Sequence, residues 1–123
     1  MTLISQTLAQ FGSEFRLPDV PPPVHQRARH LILDSLGIGL ASTQYDFSRR
    51  TLAAYQSLAD GVSSGVPVIG YGINLPVRDA VTVNALMIHG LDYDDTHPRG
   101  VIHATASVLP STLGLAKIGR AHV

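Results

Sequence analysis

The length of 123 residues predicts one globular domain, because 45% of the residues are apolar and only 15% are charged. The formal net charge is zero and the nine Lys and Arg residues are scattered, so no basic stripe is available to bind the phosphates of a nucleic acid. The absence of cysteine excludes disulfides, thiolate metal sites and cysteine nucleophiles.

Two features of the sequence concern its cellular location. The first residues lack the basic start and the long apolar centre of a signal peptide. The richest apolar run, residues 31–41, is interrupted by Asp34 and is too short to cross a membrane. We therefore expect a soluble, cytoplasmic protein that does not bind a membrane.

The N-terminal third of the chain predicts two helices. Apolar residues at three- and four-residue spacing favour a helix over residues 2–15, which Pro18 and the three prolines at 21–23 interrupt. A second helix is predicted over residues 24–41, with Pro23 as its first residue. Gly37 and Gly39 each lower its helix propensity by about 1 kcal/mol relative to Ala. We interpret them as positions where another helix packs closely, the alternative being a fraying C-terminal turn.

The middle of the chain predicts a third helix, a linker and a strand. Asp46 or Ser48 can cap a helix that runs to about residue 59. Its inner face is predicted to carry Leu52, Tyr55 and Leu58 or Ala59. Residues 61–65 are typical of a turn-rich linker, and residues 66–71 predict a short strand because they are β-branched and lie between glycines.

The last part of the chain predicts two further helices. Pro76 opens a fourth helix that runs to about residue 91, and a fifth begins near Ala104 with Pro110 in its first turns. The inner stripe of the fourth helix is predicted to contain Ala80, Val83, Asn84, Met87, Ile88 and Leu91. That of the fifth is predicted to contain Val108, Leu109, Leu113 and Ala116. The sequence therefore predicts an all-α fold of about five helices.

The segment from His89 to His103 concentrates the reactive side chains, with three of the nine acidic residues and three of the six histidines. If the fourth helix continues past Gly90, His89, Asp92 and Thr96 share one face, while Asp94 points elsewhere. Pro98 then ends the helix, the chain turns through residues 99–100, and a histidine returns at the start of the fifth helix. There its ring and the free N–H groups of that helix can address one anion.

Three interpretations of this segment remain open. Carboxylates beside histidines suit the abstraction of a proton next to a carboxylate, or the protonation of a leaving hydroxyl. The acidic residues can also be a loop that ends one helix and caps the next. In the third interpretation the imidazole and carboxylate groups bind a metal, since both are common metal ligands. Because neither His-x3-His nor His-Glu-x2-His occurs, we assign no metal ligand among the predicted site residues.

Several blocks of the sequence resemble the N-terminal part of the MmgE/PrpD family, which includes 2-methylcitrate dehydratase and cis-aconitate decarboxylase. They are ARHLILDSLG at residues 28–37, GYG at 70–72, VNALMIHGLDYDDTH at 83–97, His103, and VLP at 108–110. The similarity extends through nearly all of the chain up to Lys117.

The resemblance implies an all-helical domain, completed in full-length members by later helices and a smaller α/β lid domain, and assembled as a homodimer. It implies a small polycarboxylate as substrate and lyase chemistry without a metal or other cofactor. By position, Asp92 and His103 resemble catalytic residues that transfer protons or hold the carboxyl end of the substrate. Thr96, as a hydroxyl donor to a substrate carboxylate, and His97 resemble substrate-binding residues.

Residues 1–117 are therefore expected to form part of this domain, with further catalytic groups downstream. Residues 118–123 can be encoded by a common sequencing-library adapter, and we expect them to be a non-native tail. Such a fragment is expected to be inactive alone and to expose apolar faces at Phe11, Leu31 and Met87. Two alternatives remain: a small acidic and histidine-rich module that binds a metal or ligand, and a non-catalytic helical piece that associates with other proteins.

Overall fold

The computed structural model describes residues 3–59 and 65–119. This part of the chain contains five α-helices and one antiparallel pair of short strands, which confirms the predicted all-α class. The elements are α1 (Ile4–Glu14), α2 (Pro22–Ser42), α3 (Asp46–Leu58), β1 (Val66–Pro67), β2 (Asn74–Leu75), α4 (Val77–His89) and α5 (Ala104–Gly119). None of the helices in these two ranges has both the length and the apolar character of a membrane span.

The chain divides into two compact units after His30. In the first unit α1 ends at Glu14, and a short 3-10 turn at Leu17–Asp19 holds Pro18, as the predicted break requires. Gln6 stabilises the start of α1, because its Oε1 accepts the backbone N–H of Leu3 at 3.1 Å.

The expectation of exposed apolar faces has a mixed outcome. Phe11 is 61% exposed, as expected, and Leu31 is half-buried. The expected exposure of Met87 is wrong, because its side chain is fully buried in the core of the second unit. Residues of one helical stripe are buried when other elements of the same chain cover it, and α4 is covered in this way.

The core of the second unit lies between α3, the β1–β2 pair and α4. Its buried members are Leu52, Val66, Val68, Leu75, Ala80, Val83 and Met87. The predicted inner stripe of α4 is confirmed from Ala80 to Ile88, and Leu91 beyond it is half-buried. Burying these side chains stabilises the fold by about 1.5–3 kcal/mol for each large one.

The start of α3 differs from the prediction. Neither Asp46 nor Ser48 caps the helix, because the residue before its first turn is Tyr45 and no side chain accepts a hydrogen bond there. Asp46 instead pairs with Arg49 at 2.6 Å, and the buried Ser48 hydroxyl donates to the carbonyl oxygen of Ser42 at 2.6 Å. A buried hydroxyl needs a partner, and for Ser48 this partner lies at the end of α2.

The inner face of α3 is partly as predicted. Leu52 is buried and Tyr55 and Ala59 are half-buried, whereas Leu58 is 70% exposed. The predicted linker at 61–65 lies, apart from Gly65, outside the described residues. The strand predicted over 66–71 is only two residues long, because the chain turns at Gly70, where φ is +75°, and returns to pair with Asn74–Leu75.

The glycines of α2 have different roles. A Cβ atom at Gly39 would lie 3.2 Å from Ile69 and 3.6 Å from Ile88 of α4, which confirms close packing at this position. A Cβ atom at Gly37 would meet nothing within 4 Å, so close packing was predicted wrongly there. The fraying alternative also fails, since α2 continues to Ser42.

Helix α5 packs along α4, and this pairing positions the functional segment that joins them. Gly114 permits the close approach, because a Cβ atom there would lie 2.8 Å from Val81. The contact buries Ile88, Ala106 and Leu109. Leu109 confirms the predicted inner face of α5, whereas Val108, Leu113 and Ala116 are exposed.

Asp79, in the first turn of α4, has a buried carboxylate. Its carboxylate is 3% exposed and accepts a hydrogen bond from the exposed Arg78 guanidinium at 2.8 Å. This hydrogen bond and the charge attraction of Asp79 raise the pKa of Arg78 above its ordinary value.

Candidate functional site

The chain leaves α4 at His89, and this position decides the geometry of the site. Gly90 ends the helix, where its N–H donates to the carbonyl oxygen of Leu86 at 2.8 Å. Asp92 then takes a left-handed backbone conformation with φ of +56°, so the chain turns away from the helix axis. The predicted continuation of α4, with His89, Asp92 and Thr96 on one helical face, is therefore wrong.

Asp94 lies at the centre of the site, although the helical prediction pointed it elsewhere. Its side chain is fully buried. Its carboxylate oxygens lie 3.1 and 3.2 Å from Nδ1 of His89. The sequence pattern missed this pair because a non-helical loop has no periodicity from which the direction of a side chain can be read.

His103 lies directly before α5, as predicted, and faces the same carboxylate. Its Nδ1 is 3.4 Å from Oδ1 of Asp94, and its Nε2 is 3.9 Å from Oδ1 of Asp92. The rings of His103 and His89 have centroids 4.9 Å apart. The structure thus brings together the two residues predicted to be catalytic, Asp92 and His103, although their roles remain predictions.

The two predicted substrate-binding residues lie in the loop beside this cluster. His97 forms a backbone bridge with Ile102, and its Nδ1 accepts the N–H of Gly100 at 3.0 Å, which confirms the predicted turn after Pro98. Thr96 is exposed. Within residues 3–59 and 65–119, neither side chain forms a hydrogen bond with the cluster.

The third acidic residue of the segment has a structural role. Oδ1 of Asp95 accepts the backbone N–H of Thr105 at 3.1 Å, and so it satisfies one of the free donors in the first turn of α5. The capping interpretation of the acidic loop is therefore correct for Asp95. Asp92 and Asp94 are not used in this way among the described hydrogen bonds.

An open cleft of about 820 Å³ lies between α4 and α5 beside the cluster. Both His89 and His103 line it. Its other walls are mostly apolar and consist of Thr82, Ala85, Leu86, Ile102, Ala104, Ala106, Ser107 and Val108. A small molecule in this cleft would meet two imidazole rings and the N-terminal end of α5.

The same cluster has the composition of a metal-ligand set. His89, Asp92, Asp94 and His103 each offer one ligand atom, and these four atoms lie within 4.8 Å of one another. Imidazole and carboxylate groups are common ligands of zinc. Spacing in the sequence did not predict this set because its members come from the end of a helix, a loop and the residue before the next helix.

Comparison with known proteins identifies the family of this chain. The family described as the MmgE/PrpD N-terminal domain matches residues 6–122. A cis-aconitate decarboxylase-like protein of Aspergillus oryzae and a cis-aconitate decarboxylase of Aspergillus terreus are each 28% identical over 94% of this chain and 23% of their own length. The human cis-aconitate decarboxylase is 35% identical over 76% of this chain and 19% of its own length. No solved structure gives a significant match.

The chain spans less than a quarter of these curated relatives. The family match ends at residue 122 and so covers most of the expected non-native tail at residues 118–123. The structure places the first two residues of that tail, 118 and 119, in α5. Residues 120–123 of that tail lie outside the described residues, so its origin stays a prediction.

Proposed function

Because this chain belongs to the MmgE/PrpD family, we propose that it is part of a lyase that acts on a small polycarboxylate. The observation that supports this most directly is the position of His103 Nε2, 3.9 Å from Oδ1 of Asp92 beside the α4–α5 cleft. An imidazole and a carboxylate at this distance form an acid–base pair that can exchange a proton with a bound molecule.

The surroundings of the cleft suit a substrate with several carboxylates. The first turn of α5 directs N–H groups toward this region and carries the positive end of the helix dipole, and Asp95 uses one of those groups. The imidazole rings of His89 and His103 lie against the carboxylates of Asp92 and Asp94 and, when protonated, offset their negative charge. The Thr96 hydroxyl and His97, in the adjoining loop, are proposed to contact a substrate carboxylate when the substrate is bound.

Decarboxylation is the reaction that we propose first. The bond between a carbon atom and its carboxylate breaks, carbon dioxide leaves, and the electron pair stays on a carbon conjugated with a second carboxylate. His103 then donates its Nε2 proton to that carbon, and Asp92 stabilises the imidazolium beforehand.

The names of the relatives favour decarboxylation over dehydration. Those of the two Aspergillus proteins and the human protein all refer to cis-aconitate decarboxylase. We propose cis-aconitate or a similar unsaturated tricarboxylate as the substrate. Dehydration of 2-methylcitrate is the alternative within the family, since the same pair can take a proton from a carbon next to a carboxylate and protonate the departing hydroxyl. We also propose that the full-length protein is cytoplasmic, forms a homodimer and uses no cofactor.

The test uses the complete product of the gene that encodes this chain. Carbon dioxide release from cis-aconitate and loss of water from 2-methylcitrate are measured for the wild type and for His103→Ala and Asp92→Asn. Each variant is expected to lose about 10²–10⁴-fold in kcat, because a positioned proton donor contributes that much. His25→Ala, in the first unit, is the control with unchanged turnover. Wild-type rates in both site variants, with circular dichroism unchanged, would refute the proposed roles.

A second function is favoured by one observation, the convergence of four ligand atoms from His89, Asp92, Asp94 and His103. In this alternative the segment is a metal-binding module without catalysis. Titration of the chelator-treated protein with Zn²⁺ in a calorimeter is expected to give one site per chain, abolished in the His89→Ala, His103→Ala double variant. Lyase activity that survives chelation, together with no measurable binding of Zn²⁺, excludes this alternative.

A further inference from the structure

We propose that Asp94 is a positioning residue, which fixes the proton on Nδ1 of both His89 and His103 and so leaves their Nε2 atoms free toward the cleft. The consequence for catalysis depends on the function proposed above. The structural part of the inference does not, because it concerns the tautomers of two histidines.

The first argument is the burial of the Asp94 carboxylate. Its side chain has no exposed surface, and a buried charge is costly unless hydrogen bonds and opposite charge compensate it. Across residues 3–59 and 65–119, the polar side chains that the structure shows facing the Asp94 carboxylate are His89 and His103. An ionised carboxylate can only accept hydrogen bonds, so each facing ring nitrogen must carry the hydrogen.

The second argument is the state of His103 Nδ1. This atom is inaccessible to solvent and has no hydrogen-bond partner at the geometry shown, although Oδ1 of Asp94 lies only 3.4 Å away. Leaving such a donor unpaired costs about 1–3 kcal/mol. A small rotation of the ring directs an Nδ1–H group at the carboxylate, satisfies the donor and completes the hydrogen bonds of Asp94.

The third argument is the arrangement of the other ring atoms. Once Nδ1 carries the hydrogen, the neutral ring of His103 has an unprotonated Nε2, and this atom faces Asp92 at 3.9 Å. His89 is held in the same way by its 3.1 Å contact and is 53% exposed, with its ring among the residues that line the cleft. One carboxylate therefore orients two imidazoles, and the reactive nitrogen of each is the one that a ligand can reach.

Asp94→Asn tests whether Asp94 orients the two histidines or only fills space between them. The Asn side chain has nearly the same size, but it has one accepting oxygen and one donating nitrogen. The amide N–H₂ group that replaces one carboxylate oxygen comes to face Nδ1 of His89, which lies within 3.2 Å of both oxygens of Asp94, and donates to it. That nitrogen then has to accept, so the His89 ring is expected to move its proton to Nε2. Asp95→Asn is the matched control, since it makes the same change one residue along and keeps an oxygen that accepts the Thr105 N–H.

The experiment measures 15N chemical shifts of the histidine rings in the complete gene product, after removal of metal ions and at a pH where the rings are neutral. His89→Gln and His103→Gln assign the signals. In the wild type both rings are expected to carry the hydrogen on Nδ1, and in Asp94→Asn one of them on Nε2. Asp95→Asn is expected to match the wild type. Wild-type rings protonated on Nε2, or an Asp94→Asn spectrum equal to that of the wild type, overturn the inference even when the lyase activity is found.

Kinetics supply the second readout. Asp94→Asn is expected to lower kcat at least about tenfold and to change KM less than about twofold, because the tautomer affects proton transfer more than binding. A loss of activity only in proportion to a loss of folded protein contradicts positioning. If neither substrate is turned over by the wild type, the proposed function fails, while the ring spectra still decide the tautomers.

Discussion

The side-chain oxygen of Asn84, on α4, accepts the backbone N–H of Ile69 at 2.9 Å, and the amide nitrogen of the same side chain donates to the carbonyl oxygen of Pro67 at 3.0 Å. One buried amide therefore holds the last residue of β1 and the turn that follows it. Ile69 in turn packs against Gly39 of α2 and against the contact between α4 and α5. Asn84 thus links the strand segment to the helix that leads to the candidate site.

Replacing Asn84 by Ala is expected to lower the free energy of unfolding by about 1–3 kcal/mol, because it removes a buried amide and leaves two part-buried backbone groups without their partner. Urea unfolding followed by circular dichroism measures the change. Asn74→Ala, at an exposed position of β2, is the control and is expected to have a much smaller effect. Equal losses in the two variants contradict the linking role of Asn84.

Two glycine substitutions should change stability in opposite directions. Gly114→Ala is expected to be destabilising, since its Cβ would lie 2.8 Å from Val81 and force α5 away from α4. Gly37→Ala meets nothing within 4 Å and is expected to stabilise α2 by about 0.5–1 kcal/mol. Thermal unfolding measures both, and a lower Tm for Gly37→Ala is the result that contradicts open space at that position.

The cap of α5 can be tested at Asp95. Asp95→Ala removes the acceptor of the Thr105 N–H and is expected to cost about 0.5–2 kcal/mol of stability. Asp95→Asn keeps an acceptor and is expected to retain most of that stability. Amide hydrogen exchange at Thr105 reports the cap directly, and unchanged protection in Asp95→Ala argues against it.

The cleft can be tested by filling it. Ser107→Phe places a ring among the residues that line the cleft and, given the proposed function, should raise KM about tenfold or more because the substrate loses room. Thr112→Phe, also on α5 but outside the cleft lining, is the control with an unchanged KM. Saturation curves with cis-aconitate measure both variants, and equal KM values place the substrate elsewhere.

Periodicity predicted helices well and loops poorly. The inner stripe of α4 from Ala80 to Ile88, the start of α5 near Ala104 and the turn after Pro98 follow from local rules on apolar spacing and proline geometry. The same rules extended α4 through Asp92, because they could not detect that the chain leaves the helix after Gly90 and turns at Asp92. The sequence-based prediction consequently pointed Asp94 away from the site, whereas the structure places it against His89 and His103.

The sequence by itself indicated the helical class and the resemblance to the MmgE/PrpD family, since these depend on residue types and spacing along one chain. That resemblance, and not the spacing, implied that Asp92 and His103 act together. Only the tertiary structure revealed Asp94 as the buried centre of the site and joined His89 to it. The packing of α5 on α4 sets the distance between His103 and the loop, and the left-handed turn at Asp92 directs the next carboxylate inward. Both depend on contacts between residues far apart in sequence, which no local pattern records.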